Sequence, residues 1–125
     1  MKNTKLWISS MRLRTLPLSI SGIIIAAFLA KDKGFFQWDI LIFSILTTVS
    51  LQILSNLAND YGDGIKGTDN NDRIGPERAI QSGHISPKNM LIAIKISISI
   101  SIVLAFMLIF FAFGVNHFLL TLVFF

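Results

Sequence analysis

The sequence predicts an all-α protein, a polytopic transmembrane helical bundle with about three complete spans and the start of a fourth. Three observations predict it. Charged residues make up only 14% of the 125-residue chain, against roughly 25% in globular domains. The apolar surplus of Ile, Leu and Phe lies in long runs without charge, so lipid is the solvent that fits it. The polar residues are gathered instead of spread: five of the seven acidic residues fall between Asn56 and Gly83. The absence of cysteine excludes disulfide and thiolate chemistry. The formal charge of +4 is modest, and without an aromatic-interleaved basic patch it reads as membrane orientation, not nucleic-acid affinity.

The N-terminal stretch mixes Lys2, Lys5, Arg12 and Arg14 with Leu6, Trp7, Ile8, Met11 and Leu13, which suits a helix lying in the headgroup region, with Thr4 placed to cap it. The first span is expected over 15–31. Pro17 stands near its start, where a helix tolerates proline, and the basic flank can snorkel to extend a short apolar core. A cleaved signal peptide is the competing reading, but no clean small-x-small cleavage site follows it. Lys31 to Asp39 is a short connection whose Phe35, Phe36 and Trp38 suit an interfacial aromatic belt.

The second span, 40–59, is twenty uncharged residues, about 30 Å as a helix. Its last turns become polar at Gln52, Ser55, Asn56 and Asn59, so it delivers a polar motif, 56–83, at one membrane face. Ser86-Pro87 has the chemistry of a helix start, and a third span is expected over 88–113. Within it Ile96 to Ile102 alternates Ile and Ser, a strand pattern taken alone. A lone strand in lipid would leave its backbone unpaired, so the reading is helix, with Ser97 and Ser101 sharing a helix-contact face. Gly114 to His117 marks a turn, and 117–125 opens a fourth span that is incomplete. The chain is therefore expected to be the N-terminal portion of a longer protein. Four basic residues precede the first span, two lie in the first connection, and Lys66, Arg73, Arg78 and Lys88 lie in the second. The N-terminus and the polar motif are accordingly expected in the cytoplasm.

The polar motif reads NLANDYGDGIKGTDNNDRIGPERAIQSG. If the second helix continues into it, Asn56, Asp60 and Asp63 stand at i, i+4 and i+7 and share a face. Oxygen donors without His or Cys suit Mg2+, commonly held by one or two carboxylates plus substrate phosphates. The glycines at 62, 64 and 67 let the chain turn away and bring its backbone close to a ligand. Lys66, Arg73 and Arg78 add the positive charge that a metal-bridged diphosphate requires.

Other readings stand beside this one. A mixed-charge membrane loop is often only a solvated connection. Asp60 to Asp72 lacks EF-hand spacing, and GDGIKGT is not the P-loop order. His84 and His117 lie in separate loops, which argues against a role for either. Tyr61 is either a substrate-facing group or an interface anchor.

This motif, with its NDYGDxxKGxD core and the following RxGPxRAxxSG, resembles the first aspartate-rich motif of the intramembrane aromatic prenyltransferases, in its menaquinone-type form. The upstream RLRTLPLSISG resembles the start of the same enzymes. The resemblance implies a nine-helix fold around a cavity open to lipid, of which this chain would be the N-terminal part. Two aspartate-rich motifs there hold magnesium and a prenyl diphosphate.

Carried over, it makes Asn56, Asp60 and Asp63 the metal positions, and Lys66, Arg73 and Arg78 the diphosphate contacts. Asp60, Asp63 and Lys66 are then the catalytic candidates, with Asn59, Tyr61 and Asp69 as additional ones. Asp69 and Asp72 read as loop structure ahead of metal contacts. The implied activity is polyprenyl transfer from polyprenyl diphosphate to 1,4-dihydroxy-2-naphthoate with loss of carbon dioxide, giving demethylmenaquinone, in the cell inner or plasma membrane. No acidic residue follows Glu77, so the second motif is absent and the chain alone is expected not to catalyse. The alternatives are another aromatic acceptor such as 4-hydroxybenzoate, or a small non-enzymatic membrane protein whose loop binds a cation or lipid.

Overall fold

The computed structural model describes the backbone of residues 2–67 and 79–123 and the side chains of residues 3–67 and 79–115. Four α-helices follow in order: α1 (Lys2–Met11), α2 (Leu16–Asp32), α3 (Trp38–Lys66) and α4 (Pro87–Val123), with a 3₁₀ turn at Leu13–Thr15 between the first two. Three stretches are long and apolar enough to cross a membrane: Asn3–Asp32, which takes in α1 and α2, then Trp38–Lys66 and Pro87–Val115.

The boundaries follow from local chemistry. Thr4 lies inside the first turn of α1 and so does not cap it. Arg12, at φ 49° and ψ 49°, adopts the left-handed conformation uncommon for a non-glycine residue, and the chain turns there. The turn is tied by the Arg12 amide to Ser9 O (3.1 Å) and by the Thr15 amide and hydroxyl to Arg12 O (3.0 and 2.9 Å). Pro17 sits in the first turn of α2. That helix closes in a Schellman arrangement, with Gly34 at φ 78° donating to Lys31 O and the Phe35 amide donating to Ala30 O.

Helix α3 does not stop at Asn59 but runs through the acidic residues to Lys66, ending at Gly67 in the left-handed region. Of the three glycines expected to turn the chain, only Gly67 does so. Gly62 and Gly64 are helical. A Cβ on Gly64 would meet Ile80 Cγ2 at 2.7 Å and Ile80 Cβ at 2.9 Å, so its role is close packing against the returning chain.

Helix α4 starts as its sequence dictates, with Pro87 at the first position and the Ser86 hydroxyl accepting from the Asn89 amide at 3.2 Å. The Ile/Ser alternation from Ile96 to Ile102 is helical throughout. Gly114, at φ 70° and ψ 178°, interrupts α4 in a conformation essentially reserved for glycine, and the helix resumes beyond it. Lys95 stands two turns into α4 and is exposed, with a stem long enough to carry its charge toward the interface.

Helix α3 is central and packs against α4, α2 and α1. Its contact with α4 is antiparallel: Phe43 stacks on Phe111 with centroids 5.0 Å apart, and the Ser50 and Ser101 hydroxyls meet at 2.6 Å. Nearer the polar end lies the buried core of Leu57, Ala79, Ile85, Met90 and Ile94. Leu6, Trp7 and Met11 of α1 pack against that core. The Ser19 Oγ hydroxyl donates to Gln52 Oε1 at 3.0 Å and ties α2 to α3, and no residue of α2 is buried.

Candidate functional site

The polar end of α3 carries the candidate site because the helix continues far enough to put Asn56, Asp60 and Asp63 on one face. Along the axis they span about 10 Å. Asn56 and Asp60 are buried and Asp63 is half-buried. Burial of that kind needs partners, and two of them come from the turn after α1. Arg12 Nη2 donates to Asp60 Oδ1 at 3.0 Å, an ion pair in which the carboxylate is 4% exposed and the guanidinium 38%. Asn56 Nδ2 donates to Met11 O at 2.9 Å. A carbonyl only accepts, so this bond fixes which end of the Asn56 amide faces α1 and leaves Oδ1 as an acceptor for something else.

The other candidates spread around this face. Lys66 is exposed in the last turn of α3. Asn59 is exposed on the same helix. Tyr61 packs against the buried core. His84 is exposed and its Nδ1 donates to Ser82 O at 2.9 Å, so it is engaged within its own turn. Asp69, Asp72, Arg73, Glu77 and Arg78 lie outside the described residues.

Among the described residues no three His, Cys, Asp or Glu side chains cluster as a metal site. The set in hand is two carboxylates and one amide, hard oxygen donors, and Asp60 already has a cationic group against it. Hard oxygen donors of this kind suit a hard divalent cation, and Asn56, Asp60 and Asp63 are the residues that could hold one.

Deeper along α3 and α4 an open groove of about 510 Å³ is lined by Leu51, Leu54, Ile98, Ile102, Phe106 and Ile109, with the Ser101 hydroxyl as a polar point. It lies on the lipid-facing length of the helices beyond the acidic face. Its lining is of the kind that accepts an aliphatic chain and excludes water.

The sequence profile of the UbiA prenyltransferase family matches residues 20–125. The chain belongs to that family. Together with its three apolar spans this makes it a multi-pass membrane protein. Among its relatives, a protein of Escherichia coli (strain K12) named 1,4-dihydroxy-2-naphthoate octaprenyltransferase is 45% identical over 95 residues, covering 76% of this chain and 31% of the relative. Proteins of the same name from Haemophilus influenzae and Mycobacterium tuberculosis are 45% and 37% identical, over 69% and 74% of the chain. The UbiA-family chain thus spans about a third of the length of these relatives. No solved structure matches it.

Arg12 is the residue that sequence reasoning missed. It was one of several interfacial cations, and nothing in its spacing links it to Asp60, forty-eight positions away. The available signal was indirect: an arginine in the basic N-terminal stretch, expected at the same membrane face as the acidic motif.

Proposed function

We propose that this chain supplies one acidic side of a magnesium-dependent site that transfers a polyprenyl group from polyprenyl diphosphate to 1,4-dihydroxy-2-naphthoate, in menaquinone biosynthesis. The observation that carries the reading is the buried Asn56–Asp60 face, continued by Asp63, at the polar end of a membrane-length helix in a UbiA-family chain. The names of the relatives favour the naphthoate acceptor over 4-hydroxybenzoate.

Asn56, Asp60 and Asp63 would hold magnesium. When bound, the ion supplies charge neutralisation for a diphosphate leaving group. Lys66, with Arg73 and Arg78 from the following stretch, would bind the diphosphate oxygens and hold the leaving group in place. The bond's electron pair leaves with the diphosphate, and the electron-rich ring carbon of the naphthoate forms the new C–C bond to the allylic carbon. The ring carboxylate departs as carbon dioxide and the ring regains aromaticity. The apolar lengths of α3 and α4 keep water from the allylic cation. The basic residues at the N-terminus and in the polar motif favour a cytoplasmic position for the site in the plasma or inner membrane.

The test is binding of a non-hydrolysable prenyl diphosphate analogue to the membrane-embedded chain, with and without magnesium. Wild type is expected to bind in a magnesium-dependent way, and Asp60→Ala and Asp63→Ala to lose at least about tenfold to a hundredfold, since losing a metal ligand costs no less than losing one of its outer-shell partners. Binding that follows net charge and ignores both substitutions would mark the motif as a lipid-surface loop.

A further inference from the structure

Two of the three residues assigned above to the metal are engaged by one short segment. Arg12 pairs with Asp60, and Met11 O accepts from Asn56. Both contacts come from the turn that ends α1, where Arg12 holds the left-handed conformation. Helix α1 also carries Trp7 and Met11 against the buried core that includes Leu57 and Met90. What happens at Asp60 is therefore mechanically joined to how α1 is seated.

We propose that Arg12 is a built-in stand-in cation: it balances Asp60 and is exchanged for a divalent ion when one binds there, which loosens the α1 turn from α3. The inference rests on the metal reading of the preceding subsection. A buried carboxylate without a counter-charge is unfavourable, so the guanidinium at 3.0 Å holds Asp60 in place as its charge partner. A divalent ion on the same carboxylate brings two positive charges against one another across a single negative one, and the guanidinium is the weaker competitor.

Its escape route is open, because Arg12 is 38% exposed whereas Asp60 is 4% exposed. The backbone helps. Arg12 sits in a conformation that an L-residue adopts at a cost, so losing the Asp60 contact removes one of the interactions that hold it there. Met11 O has the opposite duty: by holding Asn56 Nδ2 it aims Oδ1 away from α1, where a cation can use it. Arg12 is thus a positioning residue whose contact is given up, and Met11 the anchor that stays.

Two readouts test the exchange, both in the full membrane-embedded chain with Mn2+ as the probe. The chain has two tryptophans, and Trp38 is exposed, 68%, at the start of α3, so Trp38→Phe leaves Trp7 as the reporter on α1. Trp7 emission is expected to shift saturably with Mn2+, and the shift to vanish in Asp60→Asn. Mn2+ affinity by electron paramagnetic resonance is expected to tighten about fivefold or more in Arg12→Gln, the scale of a typical coupling between competing ligands. Arg12→Gly, which relieves the backbone conformation while removing the charge, is expected to tighten it likewise, so a folding defect of one variant does not decide the matter. If Mn2+ binds wild type through Asp60 but Trp7 does not respond and both Arg12 variants bind equally or more weakly, the exchange is overturned and the metal site stands. If Mn2+ binds none of these proteins, both fall.

Discussion

Helix α3 passes through two environments, and the contrast between its halves explains the molecule better than either half does. Toward Trp38 it behaves as a membrane rod: Ile42, Leu46 and Leu51 are exposed, and contact with α4 is made by an aromatic stack at Phe43–Phe111 and one hydroxyl pair at Ser50–Ser101. Toward Lys66 it behaves as the core of a small globular protein. Leu57 is buried with Met90, Asn56 and Asp60 are buried and partnered, and the chain after Gly67 returns to pack Ile80 onto Gly64. Lipid solvates the first half, so packing there has little to gain. The second half carries polar groups that must be satisfied by protein, so α1 and the 79–85 turn gather around it.

The sharpest way to break this comparison is to cut the same volume from each half. Leu57→Ala leaves a cavity where the side chain is 1% exposed, and is expected to cost about 2–5 kcal/mol. Leu51→Ala, on a residue 50% exposed, is expected to cost less than about 1 kcal/mol, since neighbouring groups refill the space. Reversible unfolding in mixed detergent micelles reads both. Equal losses would mean that α3 is packed evenly along its length.

A smaller effect is expected at the seam where the chain returns. An added methyl at Gly64 would lie 2.9 Å from Ile80 Cβ, which is not the free end of a flexible side chain. Gly64→Ala is therefore expected to destabilise by about 1–3 kcal/mol through overpacking, and Ile80→Gly, which removes that Cβ, to relieve the overpacking in the same chain. Recovery measured as a double-mutant cycle would tie the 79–85 turn to the polar end of α3. Strict additivity would separate them.

Which parts of this arrangement the sequence disclosed follows from how local the causes are. The helices were legible because each is written in neighbouring residues: Ser86-Pro87 starts α4, Gly34 and Gly67 close α2 and α3, and uncharged length separates spans from loops. The Asn56, Asp60, Asp63 face was legible on the single condition that α3 continue, which it does. What stayed hidden was pairwise and distant. Arg12 reaching Asp60 depends on a left-handed residue turning α1 back over α3, and no propensity predicts an arginine at φ 49°. The role of Gly64 was misread for the same reason, since a glycine needed for close approach of Ile80 looks in sequence like one needed for a turn.

Gly62 gives the smallest effect and the finest test of the two-environment description. It is helical, half-buried, and has no described atom within 4 Å of where its Cβ would be. If the polar end of α3 is simply a helix there, Gly62→Ala should stabilise the chain by about 0.5–1 kcal/mol, the usual gain from replacing a mid-helix glycine. Binding of the prenyl diphosphate analogue should stay within about twofold, a few tenths of a kcal/mol. Gly62 stands 100° around the helix from Asp63, at the margin of the acidic side one turn before Lys66, so a methyl there meets a ligand seated on Asn56, Asp60 and Asp63 only at its edge. Loss of binding with stability gained would instead place the bound diphosphate across the glycine face, making Gly62 a point of backbone approach, and the site would have to be drawn as wrapping the end of α3 in place of lying on one side of it.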